Sequence, residues 1–231
     1  MSTKRPSEST AAKRPFDIDV AMDRVREAVK PFPRAMLFQL FDEGHTSAFE
    51  MLVACLISVR TRDETSLAMA KALFARARTP SEMAELDINE IDALISKSAF
   101  HLVKSEQIDT MARLILEEHG GTLPCSFEVM TSYPGIGPKC ANLALSIACH
   151  EPRIGVDIHV HRITNRWGYV QTPTPQATLL ALEAKLPQKY WVEINALLVP
   201  FGKHICTPIG PKCSICPLLD MCAQRGVANP R

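Results

Sequence analysis

Residues 126–150 read SFEVMTSYPGIGPKCANLALSIACH. Apolar residues recur every three or four positions on both sides of Pro134-Gly135-Ile136-Gly137, which predicts two helices joined by a tight turn. The two glycines permit that turn and let its backbone approach another surface closely, while Pro138 suits a first helical position. Free amides in the turn and at the start of the second helix would form a phosphate site with no preference for base sequence. Helix connections elsewhere use glycine for purely steric reasons, so the turn alone does not decide the matter.

Outward from this hairpin the chain continues as helix after helix, with no clear alternating stretch, no repeat and no obvious linker. The predicted helices lie near 18–30, 48–59, 64–77, 81–97 with a break, 102–119, 126–133, 138–150, 159–168, 175–185 and 188–203. The fold class is therefore all-α. Residues 1–15 are rich in Ser, Thr, Pro, Lys and Arg with no hydrophobic period, which predicts a disordered basic tail. A solvated tail is the plain reading of Lys4, Arg5, Lys13 and Arg14, and phosphate contact the functional one.

The 231 residues carry 26 Lys plus Arg against 25 Asp plus Glu, a formal charge of +1. Any nucleic-acid affinity must then come from local clustering, because bulk charge supplies none. No apolar run is long enough to cross a bilayer and the N-terminus lacks a signal-peptide core, so a cytoplasmic protein is expected. Four of the eight cysteines, Cys206, Cys213, Cys216 and Cys222, crowd near the C-terminus. In a reducing compartment that pattern reads as one tetrahedral metal site or one iron-sulfur cubane. Cys55, Cys125, Cys140 and Cys149 lie scattered on apolar segments and read as core thiols.

Two further residues carry candidate chemistry. Lys139 falls in the first turn of the second hairpin helix, where the helix dipole disfavours an ammonium and favours a nucleophilic amine. Asp157 is a single acid in Arg153-Ile154-Gly155-Val156-Asp157-Ile158-His159-Val160-His161-Arg162. It reads as a helix N-cap, as a catalytic acid, or as both.

The order of YPGIGPKCANLAL (133–145), VDIHVHRITNRWG (156–168), FGKHIC (201–206) and the four clustered cysteines resembles the endonuclease III family from about Phe16 to Cys222. The resemblance implies a base-excision glycosylase with abasic-site lyase activity, acting as a monomer on damaged or abasic double-stranded DNA in a bacterial cytoplasm or nucleoid. Oxidised pyrimidines are the substrate it implies. Lys139 would attack C1′ of a flipped nucleotide to form a Schiff base, assisted by Asp157, and the cysteines would hold a [4Fe-4S] cluster rather than zinc. It also implies two helical lobes with a DNA cleft between them. One is a helical barrel at 41–151 containing the hairpin; the other is a cluster lobe built from 16–40 and 152–231.

DNA contacts are expected from Gly135 and Gly137 of the turn, from His159, and from Lys212 in the rigid loop between the first two clustered cysteines. Two loops depart from the family. The family's Ser-Ala-Gln-like turn is Ser58-Val59-Arg60 here, so Arg60 would fill the gap in the DNA stack. The family's Gly-Leu-Tyr-Asn-x-Lys loop is Ala99-Phe100-His101-Leu102-Val103-Lys104, so Phe100 would wedge the bases apart and His101 alters the stacking surface. These departures point to a shifted base specificity. An adenine-mismatch glycosylase is disfavoured, because Cys55 stands where that branch needs a glutamate and because Lys139 is present. A DNA-binding protein without glycosylase activity is disfavoured by intact Lys139 and Asp157.

Overall fold

The computed structural model describes residues 13–231. Twelve α-helices and two 3-10 turns make up its regular structure, and no strand occurs among the described residues. The chain is all-helical, as the sequence predicts. Helices α1 (Ile18–Val29), α2 (Met36–Asp42), α3 (Ala48–Ser58), α4 (Asp63–Phe74), α5 (Pro80–Glu85), α6 (Ile88–Ile95) and α7 (His101–His119) precede the hairpin. The hairpin itself is α8 (Phe127–Ser132) and α9 (Pro138–Ala148), followed by α10 (Ile158–Trp167), α11 (Pro175–Lys185) and α12 (Glu193–His204).

Local chemistry starts most of these helices. Asp17, Ser47, Thr79, Asp87, Ser126, Asp157 and Thr174 each accept a backbone N–H in the first turn of the helix that follows, and Ser47 and Thr79 complete capping boxes with Glu50 and Glu82. Helix α7 ends on Gly120 in the left-handed region, as its glycine pair predicts. Residues 81–97 divide into α5 and α6 because the Asp87 cap starts a new helix.

Two hydrophobic clusters hold the fold. The first gathers α3, α7 and α9 with Leu73, Met83, Ile91 and Ile95, and α3 packs along the whole of α9. The second joins α1, α10 and α12, with Trp167, Phe201 and Met22 fully buried at its centre. Ala35, Met36, Leu37, Phe38 and Leu40, assigned from sequence to the cluster lobe, contribute side chains to the first cluster from α2 and its N-cap.

Two expectations need correction. Cys125 and Cys149 are not free core thiols: they form a disulfide. Cys125 precedes α8 and Cys149 ends α9, and the antiparallel hairpin returns their Cα atoms to 6.0 Å. Lys13 and Arg14, expected in a disordered tail, are held against the rest of the chain. Arg14 donates its backbone N–H to Asp220 O at 3.0 Å and pairs with the Asp220 carboxylate at 2.8 Å, while Lys13 Nζ donates to Cys222 O at 2.5 Å. Both cations are thus tied to the C-terminal segment. Lys4 and Arg5 lie outside the described residues.

Candidate active site

A cavity of about 720 Å³ is lined by residues of both clusters, among them Met36 and Leu143 of the first and Val156 of the second. Ser58, Arg60, Gly137, Lys139, Asp157 and His159 supply its polar and backbone features. The two candidate catalytic residues, distant in sequence, therefore share one cavity.

Each is delivered by a helix start. Lys139 sits in the first turn of α9, whose N-cap Gly137 has no side chain to satisfy the first amides. Asp157 caps α10: its Oδ1 accepts from His159 N at 2.8 Å and from Val160 N at 2.9 Å. Both sequence readings of Asp157 are compatible with this geometry, since the cap engages one carboxylate oxygen and fixes the direction of the other.

The segment carrying Asp157 is anchored by packing. A Cβ on Gly155 would fall 2.3 Å from Leu143 Cδ2, so only glycine lets this strand of chain lie on α9. Asn142 Nδ2 donates to Ile154 O at 3.2 Å and Asn195 Nδ2 donates to Gly155 O at 3.0 Å, both buried. In the hairpin turn Gly135 takes φ +81°, and a Cβ there would strike Gln107 of α7 at 2.5 Å. Gly137 differs, because a Cβ would meet nothing within 4 Å. The turn is closed on its protein side and open on the other, as a backbone-binding turn requires.

Lys139 is not the neutral amine that the helix dipole predicts. Burial pushes its ammonium toward neutrality, but Cys55, Cys140 and Asp157 beside it outweigh that and hold the proton on. The Cys55 thiol is correspondingly held below the usual thiol range, first by its hydrogen bond with Cys140 and then by Lys139. Cys55 comes from α3, which no local reading of the hairpin reveals.

The two departing loops meet at the cavity's edge. Arg60 and Phe100 both occupy the left-handed region, at φ 57° and 61°, and the Arg60 guanidinium lies 5.6 Å from the centre of the Phe100 ring. Phe100 is 60% exposed, an unusual state for a phenylalanine that packs on no core. Beneath them Lys104, nearly inaccessible, donates from Nζ to Ile57 O at 2.9 Å, Val59 O at 2.7 Å and Ser98 Oγ at 2.8 Å. Burial pulls its pKa down to about 8. Sequence reasoning missed this strut, although its register with Ser105, Ile108, Met111 and Ile115 on the buried face of α7 signals it.

The other candidate contacts are placed less freely. His101 Nδ1 bonds the Asp92 carboxylate at 2.6 Å, which turns the ring toward α6. His159 packs against Gly202, and burial pulls its pKa below the usual histidine value. Lys212 is exposed on the loop before the second 3-10 turn, away from the cavity lining.

Cys222 belongs to the second cluster, Cys206 and Cys216 pack against it, and Cys213 O accepts from Cys216 N at 3.1 Å. Two arginines of α10 reach them: Arg166 Nη1 donates to Cys206 Sγ at 3.5 Å and to Thr207 O at 2.7 Å, and Arg162 Nη2 donates to Cys206 O at 3.1 Å. Arg162 Nε is buried without a partner. Gln224 N donates to Cys222 Sγ at 3.4 Å. Burial and the surrounding thiols push Cys216 up to about 12. Among the described residues no three His, Cys, Asp or Glu side chains converge as ligands of a single metal ion. The donor set of four soft thiols with cationic and N–H donors around it fits an anionic thiolate-ligated iron-sulfur cluster.

A helical hairpin with a Gly-x-Gly turn, followed by a lysine and a capping aspartate over one cavity, defines a class. Residues 53–188 match the HhH-GPD superfamily of base excision DNA repair proteins. Endonuclease III of Thermotoga maritima is 40% identical over 197 residues, spanning 85% of this chain and 89% of that protein. Endonuclease III homolog 1, chloroplastic, of Arabidopsis thaliana is 39% identical over 183 residues, 75% of this chain and 48% of the plant protein. A solved structure of a trapped endonuclease III–DNA covalent intermediate superposes with a TM-score of 0.78 at 25% identity, covering 90% of this chain and 94% of that one. A thermostable thymine-DNA glycosylase shares the fold at TM-score 0.76 and 18% identity, over 89% and 95% of the two chains. The chain belongs to the endonuclease III family. It is a DNA glycosylase and abasic-site lyase of base-excision repair. No helix among the described residues is long and apolar enough to cross a membrane.

Proposed function

We propose that this enzyme, acting as a monomer, removes oxidised pyrimidines from double-stranded DNA and then cuts the strand through a Schiff base on Lys139. The observation that carries the reading is the meeting of Lys139 and Asp157 in one cavity at the starts of α9 and α10. A flipped nucleotide in that cavity presents C1′ to Nζ. The amine attacks C1′, the base leaves with its bonding electrons, and ring opening gives the imine. Loss of a C2′ proton then expels the 3′ phosphate by β-elimination. The Asp157 carboxylate, oriented by its cap, stabilises the positive charge that develops on the sugar.

The open face of the Gly135–Gly137 turn and the uncapped start of α9 receive a phosphate beside the lesion. Arg60 and Phe100, held up by Lys104, enter the stack that the flipped nucleotide leaves. Both differ in type from the family's usual residues, which favours a ranking among oxidised pyrimidines distinct from that of its relatives. Cys206, Cys213, Cys216 and Cys222 would hold a [4Fe-4S] cluster. The cluster would supply a covalent clamp for the C-terminal loop.

The test is borohydride trapping on duplexes carrying either an abasic site or thymine glycol, with wild type and Lys139→Gln. Adduct on both substrates, lost in the variant, is expected. Adduct on the abasic duplex alone would refute the oxidised-pyrimidine assignment, and adduct retained by Lys139→Gln would refute the nucleophile.

A further inference from the structure

Asn195 lines the same cavity from α12 and has no part in the steps above. It is 4% exposed, and its Nδ2 donates to Gly155 O at 3.0 Å. A carbonyl can only accept, so the amide group has one orientation and its Oδ1 points elsewhere. Among the described residues no donor reaches that oxygen, and the side-chain atoms that are both sealed and unpaired are Tyr133 Oη and Arg162 Nε. Oδ1 is therefore open, and the space that Asn195 borders is the cavity. An acceptor fixed in this way exchanges water for an N–H or O–H of whatever enters.

The surroundings decide which part of a nucleotide reaches it. Gly137, Lys139 and Asp157 form the charged end of the cavity. Asn142, whose Nδ2 is tied to Ile154 O, stands one turn from Lys139 on α9 and belongs to that end. Met36, Leu37 and Val199 line the cavity as members of the first hydrophobic cluster, and Val199 follows Asn195 by one turn of α12. With the sugar at the charged end, the uncharged base lies on the apolar side. The Watson–Crick edge of a base alternates donors and acceptors and needs both in return. A lone acceptor among apolar side chains instead complements the C5–C6 edge of a pyrimidine. In an intact ring that edge holds only C–H groups and, in thymine, a methyl group; oxidation adds hydroxyls to it.

We propose that Asn195 is a specificity-determining residue whose Oδ1 accepts a hydrogen bond from a hydroxyl that oxidation places at C5 or C6 of the flipped pyrimidine. The proposal rests on the oxidised-pyrimidine reading and names the feature of the substrate that is read. A ring without the hydroxyl strips water from Oδ1 and returns no donor, whereas thymine glycol supplies one.

The experiment measures single-turnover excision of thymine glycol and of dihydrothymine, the same saturated ring without hydroxyls, from otherwise identical duplexes. Each rate is divided by borohydride trapping on an abasic duplex, so that any displacement of Asp157 cancels. Wild type is compared with Asn195→Leu, which removes both the acceptor and the donor to Gly155 O, and with Asn195→Asp, which removes the amide donor but keeps an acceptor. Asn195→Val, smaller and also apolar, is read in the same way should leucine prevent folding. The ratio of glycol to dihydrothymine excision is expected to fall by at least about tenfold in the leucine variant and to survive in the aspartate variant. An unchanged ratio in the leucine variant would overturn the proposal. Equal loss in both variants would also overturn it, because the effect would then lie in the anchor to Gly155 O. Wild-type trapping on the abasic duplex with excision of neither base would instead remove the oxidised-pyrimidine reading itself.

Discussion

Replacing Gly155 by alanine puts the placement of Asp157 to a quantitative test. The added Cβ would lie 2.3 Å from Leu143 Cδ2 and 2.5 Å from Leu143 Cγ, where ordinary contact begins at 3.4 Å. Leu143 is 2% exposed, packed on the first cluster on one side and bordering the cavity on the other, so the clash is relieved only by displacing its side chain from that packing. Overpacking of this kind costs about 1–3 kcal/mol. If the chain retreats instead, the buried bonds from Asn142 to Ile154 O and from Asn195 to Gly155 O stretch, at about 1 kcal/mol each or more where a carbonyl is left unpaired. A loss of about 3 kcal/mol lowers Tm by roughly 6–12 °C in a chain of this size. Because Asp157 is two residues away, trapping on an abasic duplex should also fall by at least about tenfold at a temperature where the variant is folded. Thermal unfolding by circular dichroism and single-turnover trapping read the two effects. Gly137→Ala is the control: its Cβ meets nothing in the protein, so Tm should hold while DNA binding weakens. A Gly155→Ala protein with unchanged Tm and unchanged trapping would refute the packing argument.

Two other perturbations follow from buried charge. Lys104→Met should remove the strut under both loop tips, leaving Ile57 O and Val59 O without their donor; with relief of a buried charge set against this, the net loss is about 2 kcal/mol. Hydrogen exchange should rise at 58–61 and 98–100, and unchanged exchange there would contradict the assigned role. Glu50 is buried, which favours its neutral form, but Arg78, His45 and Ser47 outweigh burial and hold it below the usual carboxylate range. A depressed carboxylate contributes stability that is present above its unfolded pKa and lost as pH falls through the folded one. Denaturant titrations of wild type and Glu50→Gln should therefore converge as pH drops below about 4, and a gap that widens with acid would reverse the assignment.

What could be read from sequence depended on whether the cause was local. Helices with a capping residue at their start were legible, and so was the hairpin, whose glycines and proline act within a few positions. Helix α2 was not: Ala35 offers no cap, and four of its seven residues are buried without a helical period. Lys139 and Asp157 were legible as types in a pattern, yet the protonation of Lys139 depends on Cys55, more than eighty positions earlier and visible only when α3 lies against α9. The Cys125–Cys149 bond was hidden for a similar reason, since only the closed hairpin brings the two residues together. The strut of Lys104 was hidden because its acceptors, Ile57 O and Val59 O, lie more than forty positions earlier in the chain.

Near-neutral overall charge makes the placement of the remaining positive potential the central question of DNA engagement. Arg24, Arg26, Arg34, Lys71, Arg76, Arg78 and Arg113 are each paired with a carboxylate, and Lys203 lies between Asp63 and Glu64. Arg60 at the cavity mouth instead stacks on Phe100. Several helix starts line the cavity; among them Asp157 satisfies the first amides of α10 with its own carboxylate, while α9 has no such side chain. A phosphate is thus drawn to the Gly137 end of the cavity and repelled from the Asp157 end. On the proposed reading, that asymmetry would set the strand backbone on the hairpin side of Lys139 and leave the sugar between the amine and the carboxylate. A molecule with little bulk attraction for duplex DNA can in this way hold one nucleotide in one orientation, since backbone amides and a single stacked guanidinium act over distances shorter than the screening length.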